Sequence, residues 1–139
     1  MSMTTPHEDD VLSAASAIVD AFAATDGDRY FRGFAPEATF IFHTEPARLN
    51  DRAEYERLWA SWVEGGWRVL ECESSDAAVQ SFPGGAVFSH NVFTRVDTGD
   101  GEDSYRERET IVFRLDNDRL VAVHEHLSPV PDDAASAAE

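Results

Sequence analysis

Val123-His124-Glu125-His126-Leu127-Ser128, with Glu109-Thr110-Ile111-Val112-Phe113 a short turn before it, is the stretch on which the fold turns. Both segments read as strands, and side chains two apart on a strand share a face. Asp116-Asn117-Asp118 lies between them and predicts a tight hairpin turn. The strands run from Tyr105 to Leu115 and from Arg119 to Leu127, so they pair antiparallel. Upstream the same period of two continues. Ala86 to Val96 reads as a further strand, set off by the turn Phe82-Pro83-Gly84-Gly85 and by the polar loop Thr98 to Asp103. Trp67 to Val79 reads as one long strand or two, with a break near Ser74-Ser75-Asp76.

Further toward the N-terminus the period lengthens to that of a helix. Thr5-Pro6-His7-Glu8 has the form of a capping box with Pro at the first helical position. Val11, Ala15, Ile18, Val19 and Phe22 then mark one apolar stripe, and Gly27 is the expected left-handed stop. A short second helix carries Tyr30, Phe31 and Phe34 until Pro36 ends it. Ala38 to His43 reads as a strand. Asp51 to Glu64 is a third helix whose stripe is Tyr55, Leu58, Trp59, Trp62 and Val63, stopped by Gly65-Gly66. Helices first and strands afterwards predict an α+β domain, with three N-terminal helices covering one face of a curved, cone-shaped antiparallel sheet. Residues 1–131 are expected to form that single domain and residues 132–139 a disordered tail.

Composition limits the partners. The chain has 139 residues, 27 acidic and 11 basic, and every basic residue is Arg; the net charge is −16. Such a surface is not expected to bind nucleic acid, because phosphate recognition needs cations, and anionic membranes are disfavoured for the same reason. No apolar run reaches the ~20 residues of a membrane span. Cys72 is the lone cysteine, so an intrachain disulfide and a cysteine-rich zinc site are both out of reach. The acidic N-terminus lacks the layout of a signal peptide, which makes the cytoplasm the expected location.

The element order over residues 6 to 130, and the two quoted strands in particular, resemble the nuclear transport factor 2-like superfamily, in its SnoaL-like and kinase association-domain branch. That resemblance implies a pocket between the concave face of the sheet and the helices. It also implies a homodimer formed through the convex face, an expectation that apolar residues on both faces support: Val92 against Phe93, and Val112 against Phe113. Relatives of this fold include ketosteroid isomerases, polyketide cyclases and dehydratases, as well as purely structural hubs. The kinase association domain carries Arg at two ligand positions that correspond here to Ile111 and Leu127. An anionic ligand is therefore not expected.

Several residues are candidates for chemistry. Glu125 shares a strand face with Val121, Val123 and Leu127, and Glu109 with Ile111 and Phe113; desolvation on an apolar face would raise a carboxyl's pKa and suit it to acid–base work. The alternative is that these carboxylates pair with Arg106, Arg108 or Arg114. His43 ends one strand and His90 is central in another, positions from which an imidazole could move a proton in the pocket. Tyr30, Tyr55, Trp59 and Trp62 could line the pocket and stack on a flat apolar ligand. His124 and His126, on one face roughly 6–7 Å apart, are expected at an interface rather than on a metal. No phosphate loop, nucleophile elbow or calcium loop survives inspection. The sequence thus favours a cofactor-independent isomerase, cyclase or dehydratase acting on a small, largely apolar cyclic substrate. The alternative is a binding or association module without chemistry.

Overall fold

The computed structural model describes residues 4–131. The expected tail, 132–139, lies outside the described residues. The elements are α1 (Glu8–Ala23), α2 (Gly27–Arg32), β1 (Phe34–Phe42), α3 (Arg52–Glu64), β2 (Arg68–Phe82), β3 (Gly85–Asp97), β4 (Glu102–Asp116) and β5 (Arg119–Pro129). The strands form one curved sheet in the order β1-β5-β4-β3-β2. The helices pack on one face of it and bury Val11, Ala15, Ile18, Tyr30, Phe31, Tyr55 and Trp59 against Phe34, Phe40, Phe88, Ile111 and Phe113. Among the described residues no helix is long and apolar enough to cross a membrane.

The α+β layout and the antiparallel hairpins stand as expected, with one correction to the sheet. β1 pairs with β5 in parallel, Phe40 opposite Glu125 and Phe42 opposite Leu127. The chain between them, which includes α3 and three strands, is long enough for the crossover that a parallel pair requires. β1 also begins earlier than expected, and Pro36 lies inside it. An edge strand tolerates a residue without an N–H donor, and the β1–β5 register shifts between Phe34 and Thr39 to accommodate it.

Three local expectations are also corrected. α1 starts at Glu8, and His7 is its N-cap, with no side-chain capping bond. Glu8, Asp9 and Asp10 in the first turn stabilise that end through the helix dipole instead. The left-handed residue after α1 is Thr25 (φ 52°), not Gly27. Thr25 Oγ1 accepts a hydrogen bond from the Val69 N–H at 2.8 Å, which ties the turn to β2. Gly27 opens α2 directly under Trp59, where a Cβ would lie 2.9 Å from the indole nitrogen. Val63, finally, faces solvent rather than the core.

Two further register shifts bear on the reading of the sequence. β2 is continuous, and the predicted break at Ser74-Ser75-Asp76 is a register shift in which Asp76 takes φ 54°. The second lies between β4 and β5. Ile111 faces Glu125 and Phe113 faces Ala122, so Val123 is the extra residue. Because Ile111 and Phe113 share a face, the bulge places Ala122 with Glu125 and turns Val121 to the other side. The sequence alternation had grouped Val121 with Glu125. The tight turn after β4 is as expected: Asn117 (φ 49°) and Asp118 (φ 67°) are both left-handed, as a type I′ hairpin requires.

Candidate functional site

Glu107 and Glu109 on β4, and Glu125 on β5, all point from the sheet toward the helices. Their exposures are 7%, 8% and 2%. Alternation along β4 puts Glu107 and Glu109 on the concave face, and the Val123 bulge brings Glu125 into line beside Ile111. The Tyr30 hydroxyl donates to Glu125 Oε1 at 3.0 Å. Tyr30 and Tyr55 hydroxyls lie 3.1 Å apart. Tyr30 spends its only proton on Glu125, so Tyr55 donates to Tyr30.

Glu125 and Glu109 are diagonal neighbours on this face, within reach of a hydrogen bond when one of them is protonated. Burial, and then the adjacent Glu109 carboxylate, push Glu125 well above the ordinary carboxyl range. Burial raises Glu109 as well, while its bond to Glu125 lowers it. Of the pair, Glu125 is thus the carboxyl whose surroundings more strongly favour the protonated form.

His90 abuts the same pair, with Nε2 2.6 Å from Glu109 Oε1 and Nδ1 2.6 Å from Ser74 Oγ. Burial pushes this imidazole down to about 4, so it is neutral at physiological pH. In the tautomer that satisfies both contacts, Nε2–H donates to Glu109 and Nδ1 accepts from the exposed Ser74 hydroxyl. A second pair lies nearer the mouth, where half-exposed His43 hydrogen-bonds Glu107 Oε2 through Nε2. Burial raises Glu107, and His43 acts against that rise.

These side chains floor a cavity of about 260 Å³. Ile18, Val19, Phe22, Phe42, Trp62, Trp67 and Leu127 supply apolar walls, and Thr44 and Glu45 lie at its edge. Aromatic rings run along one side without interruption. Phe22 meets Trp67 at 6.0 Å, Trp67 meets Trp62 at 5.3 Å and Trp62 meets Tyr55 at 6.1 Å between centroids. A protonated carboxyl, a carboxylate and two tyrosine hydroxyls in an apolar enclosure can donate a proton at one oxygen and accept one at another.

Of the residues singled out in the sequence, Glu125, Glu109, Tyr30, Tyr55, Trp62 and Leu127 line this cavity. His43 and His90 reach it through their carboxyl partners. Trp59 and Ile111 do not line it. Trp59 stacks on the far side of Tyr30 at 5.0 Å, and Ile111 is wholly buried beneath Glu125. The Arg alternative for the two glutamates also fails. Arg106, Arg108 and Arg114 alternate onto the convex face, and Arg114 pairs with Glu37 and Asp116. His124 and His126 occupy that convex face too, their rings 6.2 Å apart, and His124 Nδ1 bonds Thr39 at 2.8 Å. Among the described residues no set of three His, Cys, Asp or Glu is grouped to hold a metal.

Sequence reasoning missed Glu107, Thr94, Tyr105 and Cys72, all of which line the cavity. Glu107 was legible in principle, two residues from Glu109 on the same alternating face. Cys72 required knowledge of the β2–β3 register, which sets it opposite Thr94.

Comparison with known proteins agrees with this geometry. No curated protein matches the sequence. Solved structures match across nearly the whole chain at low identity. A nuclear transport factor 2-like protein from Cytophaga hutchinsonii is 13% identical, with a TM-score of 0.77 over 90% of this chain and 99% of that one. Another, from Rhodospirillum rubrum, described as of unknown function in nutrient uptake, is 17% identical, with a TM-score of 0.76 over 88% and 99%. A Xanthomonas campestris protein named as a calcium/calmodulin dependent protein kinase II association domain is 13% identical, with a TM-score of 0.76 over 91% and 90%. At these identities the likeness establishes a shared fold, which hosts many activities. The sequence profile of the SnoaL-like domain matches residues 11–133, and the chain belongs to that family.

Proposed function

We propose that this protein is a cofactor-independent enzyme that moves a proton on a small, largely apolar cyclic substrate, as an isomerase, cyclase or dehydratase does. The observation that carries the reading is the Glu125–Glu109 pair, two buried neighbouring carboxyls in an apolar cavity, and the reading has them share one proton. Glu109, charged and held by His90, is the base. Glu125, protonated and braced by Tyr30, donates a hydrogen bond or a proton to the substrate atom on which charge develops. His43 and His90 serve as positioning residues through Glu107 and Glu109. Enclosure by Phe22, Trp62 and Trp67 excludes water and strengthens each of these interactions.

Exchange of the α-protons of a cyclic ketone in D2O, followed by NMR, reads proton transfer without the natural substrate. Glu125→Gln and Glu109→Gln should each abolish the exchange that the unaltered protein catalyses. Undiminished exchange in both variants would defeat the assignment.

A second element of the proposal is a homodimer through the convex face, where Ile41, Val87, Phe93 and Val112 are only half-buried. The same-fold Xanthomonas protein is named as an association domain, which favours that partner over an empty face.

A further inference from the structure

The cavity floor is acidic and nothing cationic lines it. Glu107, Glu109, Glu125 and, at the edge, Glu45 contribute carboxyls, while none of the eleven Arg residues is among the lining side chains. His43 contacts Glu107 Oε2 only, and Glu107 Oε1 has no protein partner among the described residues. Thr94, 2% exposed, also lines the cavity, and the nearest partner of its hydroxyl is Cys72 Sγ at 4.0 Å, a weak contact. Glu107 Oε1 and the Thr94 hydroxyl are thus polar groups that a molecule in the cavity could engage. Facing them is the aromatic wall of Phe22, Tyr55, Trp62 and Trp67, whose negative ring faces attract cations as well as apolar surface.

From this arrangement we propose that the cavity's ligand carries a basic nitrogen: a small cyclic or alkyl amine, protonated at neutral pH. Its ammonium group meets Glu107 Oε1 and Glu109, and its hydrocarbon body packs on Trp62 and Trp67. The inference rests on the proposed site and names its substrate class. It supplies the N–H groups that Glu107 Oε1 and Glu109 can accept, because an ammonium offers up to three N–H groups and no acceptor. The net charge of −16 acts in the same direction at longer range, concentrating cations near the mouth and repelling anions.

Three probes with one ring separate the possibilities: cyclohexylmethylamine, cyclohexylmethanol and cyclohexanecarboxylate. Binding is followed by calorimetry and by the emission of the wall tryptophans. At neutral pH the amine should bind about ten-fold or more tightly than the alcohol, as a charge-assisted bond would give, and the carboxylate should not bind. Glu107→Gln alone should remove most of the amine's advantage over the alcohol. Equal binding of amine and alcohol, tighter binding of the carboxylate, or an advantage that survives both Glu107→Gln and Glu109→Gln would each overturn the proposal. If the alcohol alone binds, the amine class fails while the proton-transfer reading stands. If no probe binds at millimolar concentration, the cavity is not a ligand site and both fail.

Discussion

Glu125→Gln offers the most direct access to the shared proton. Glutamine keeps the shape, accepts from the Tyr30 hydroxyl and supplies an N–H to Glu109, so the hydrogen bonds survive while the titration is lost. In the unaltered protein, burial and the Glu109 charge raise the Glu125 pKa well above its ordinary value. Between that ordinary value and the raised one, the folded state holds a proton that the unfolded chain has released. Folding stability therefore falls as pH rises through that window, by up to ~1.4 kcal/mol per pH unit for one proton. His90 opposes this in acid. Its pKa, lowered to about 4, means that the unfolded chain takes up a proton first, so His90 costs stability as pH falls below its ordinary value of 6.5. His90 is present in both proteins, so subtracting one curve from the other removes its contribution. Urea unfolding at a series of pH values from about 5 to about 9 gives the difference in unfolding free energy directly. The stability of the unaltered protein relative to Glu125→Gln should decline across the lower part of that range and level off above the raised pKa. A difference that stays flat throughout would mean that Glu125 ionises as it does in the unfolded chain, and the shared-proton assignment would be wrong.

Other consequences can be checked independently. Partial burial pushes the Cys72 thiol up to about 12, so alkylation by iodoacetamide near neutral pH should be far slower than for an ordinary exposed cysteine; rapid labelling would contradict that raised pKa. Trp59→Ala should cost ~3–5 kcal/mol by chemical unfolding, because the ring is buried and stacked on Tyr30, whereas the half-buried Trp62 should cost clearly less. Equal losses would deny the division between core and cavity wall. Light scattering at low micromolar concentration should give about twice the 15.4 kDa chain mass. Phe93→Glu, on the convex face beside Arg106, should return that mass to a monomer's; a monomer before any substitution would remove the convex-face dimer.

The fold was legible in the sequence wherever one short-range rule decided the outcome. The period of two from Tyr105 to Leu127 gave β4 and β5, and Asp116-Asn117-Asp118 gave their turn, because left-handed backbone there suits Asn and Asp. The helix read over Asp51 to Glu64 is α3 from Arg52, with Asp51 as its cap, accepting from the Glu54 N–H at 2.8 Å. The misreadings arose where distant chain decided. Pro36 stops a helix by local rules, yet it lies in an edge strand because β5, more than eighty residues later, pairs with the chain around it. Thr25 adopts the conformation expected of Gly27 because Val69 supplies a donor that the local sequence does not reveal.

The site shows the same division more sharply. Alternation alone was enough to nominate Glu109, and it would have nominated Glu107. Glu125 was nominated for a reason that is only half right. Strict alternation groups it with Val121, Val123 and Leu127, but the bulge at Val123 breaks that pattern and leaves Ala122 and Leu127 as its neighbours in the face. Without the bulge, the residues on either side of Val123 could not both match the concave face, and either Ala122 or Glu125 would be turned away from it. One extra residue in β5 therefore packs Ala122 under the helices while aiming Glu125 at Tyr30 and Glu109. The bulge is set by how β5 registers against β4, and its position is the feature on which the shared proton depends. Deleting Val123 would leave Ala122 and Glu125 two positions apart, so regular pairing opposite Phe113 and Ile111 should keep both on the concave face. If that chain folds and Glu125 loses its raised pKa, the register of β5 against β4 is not what aims the carboxyl.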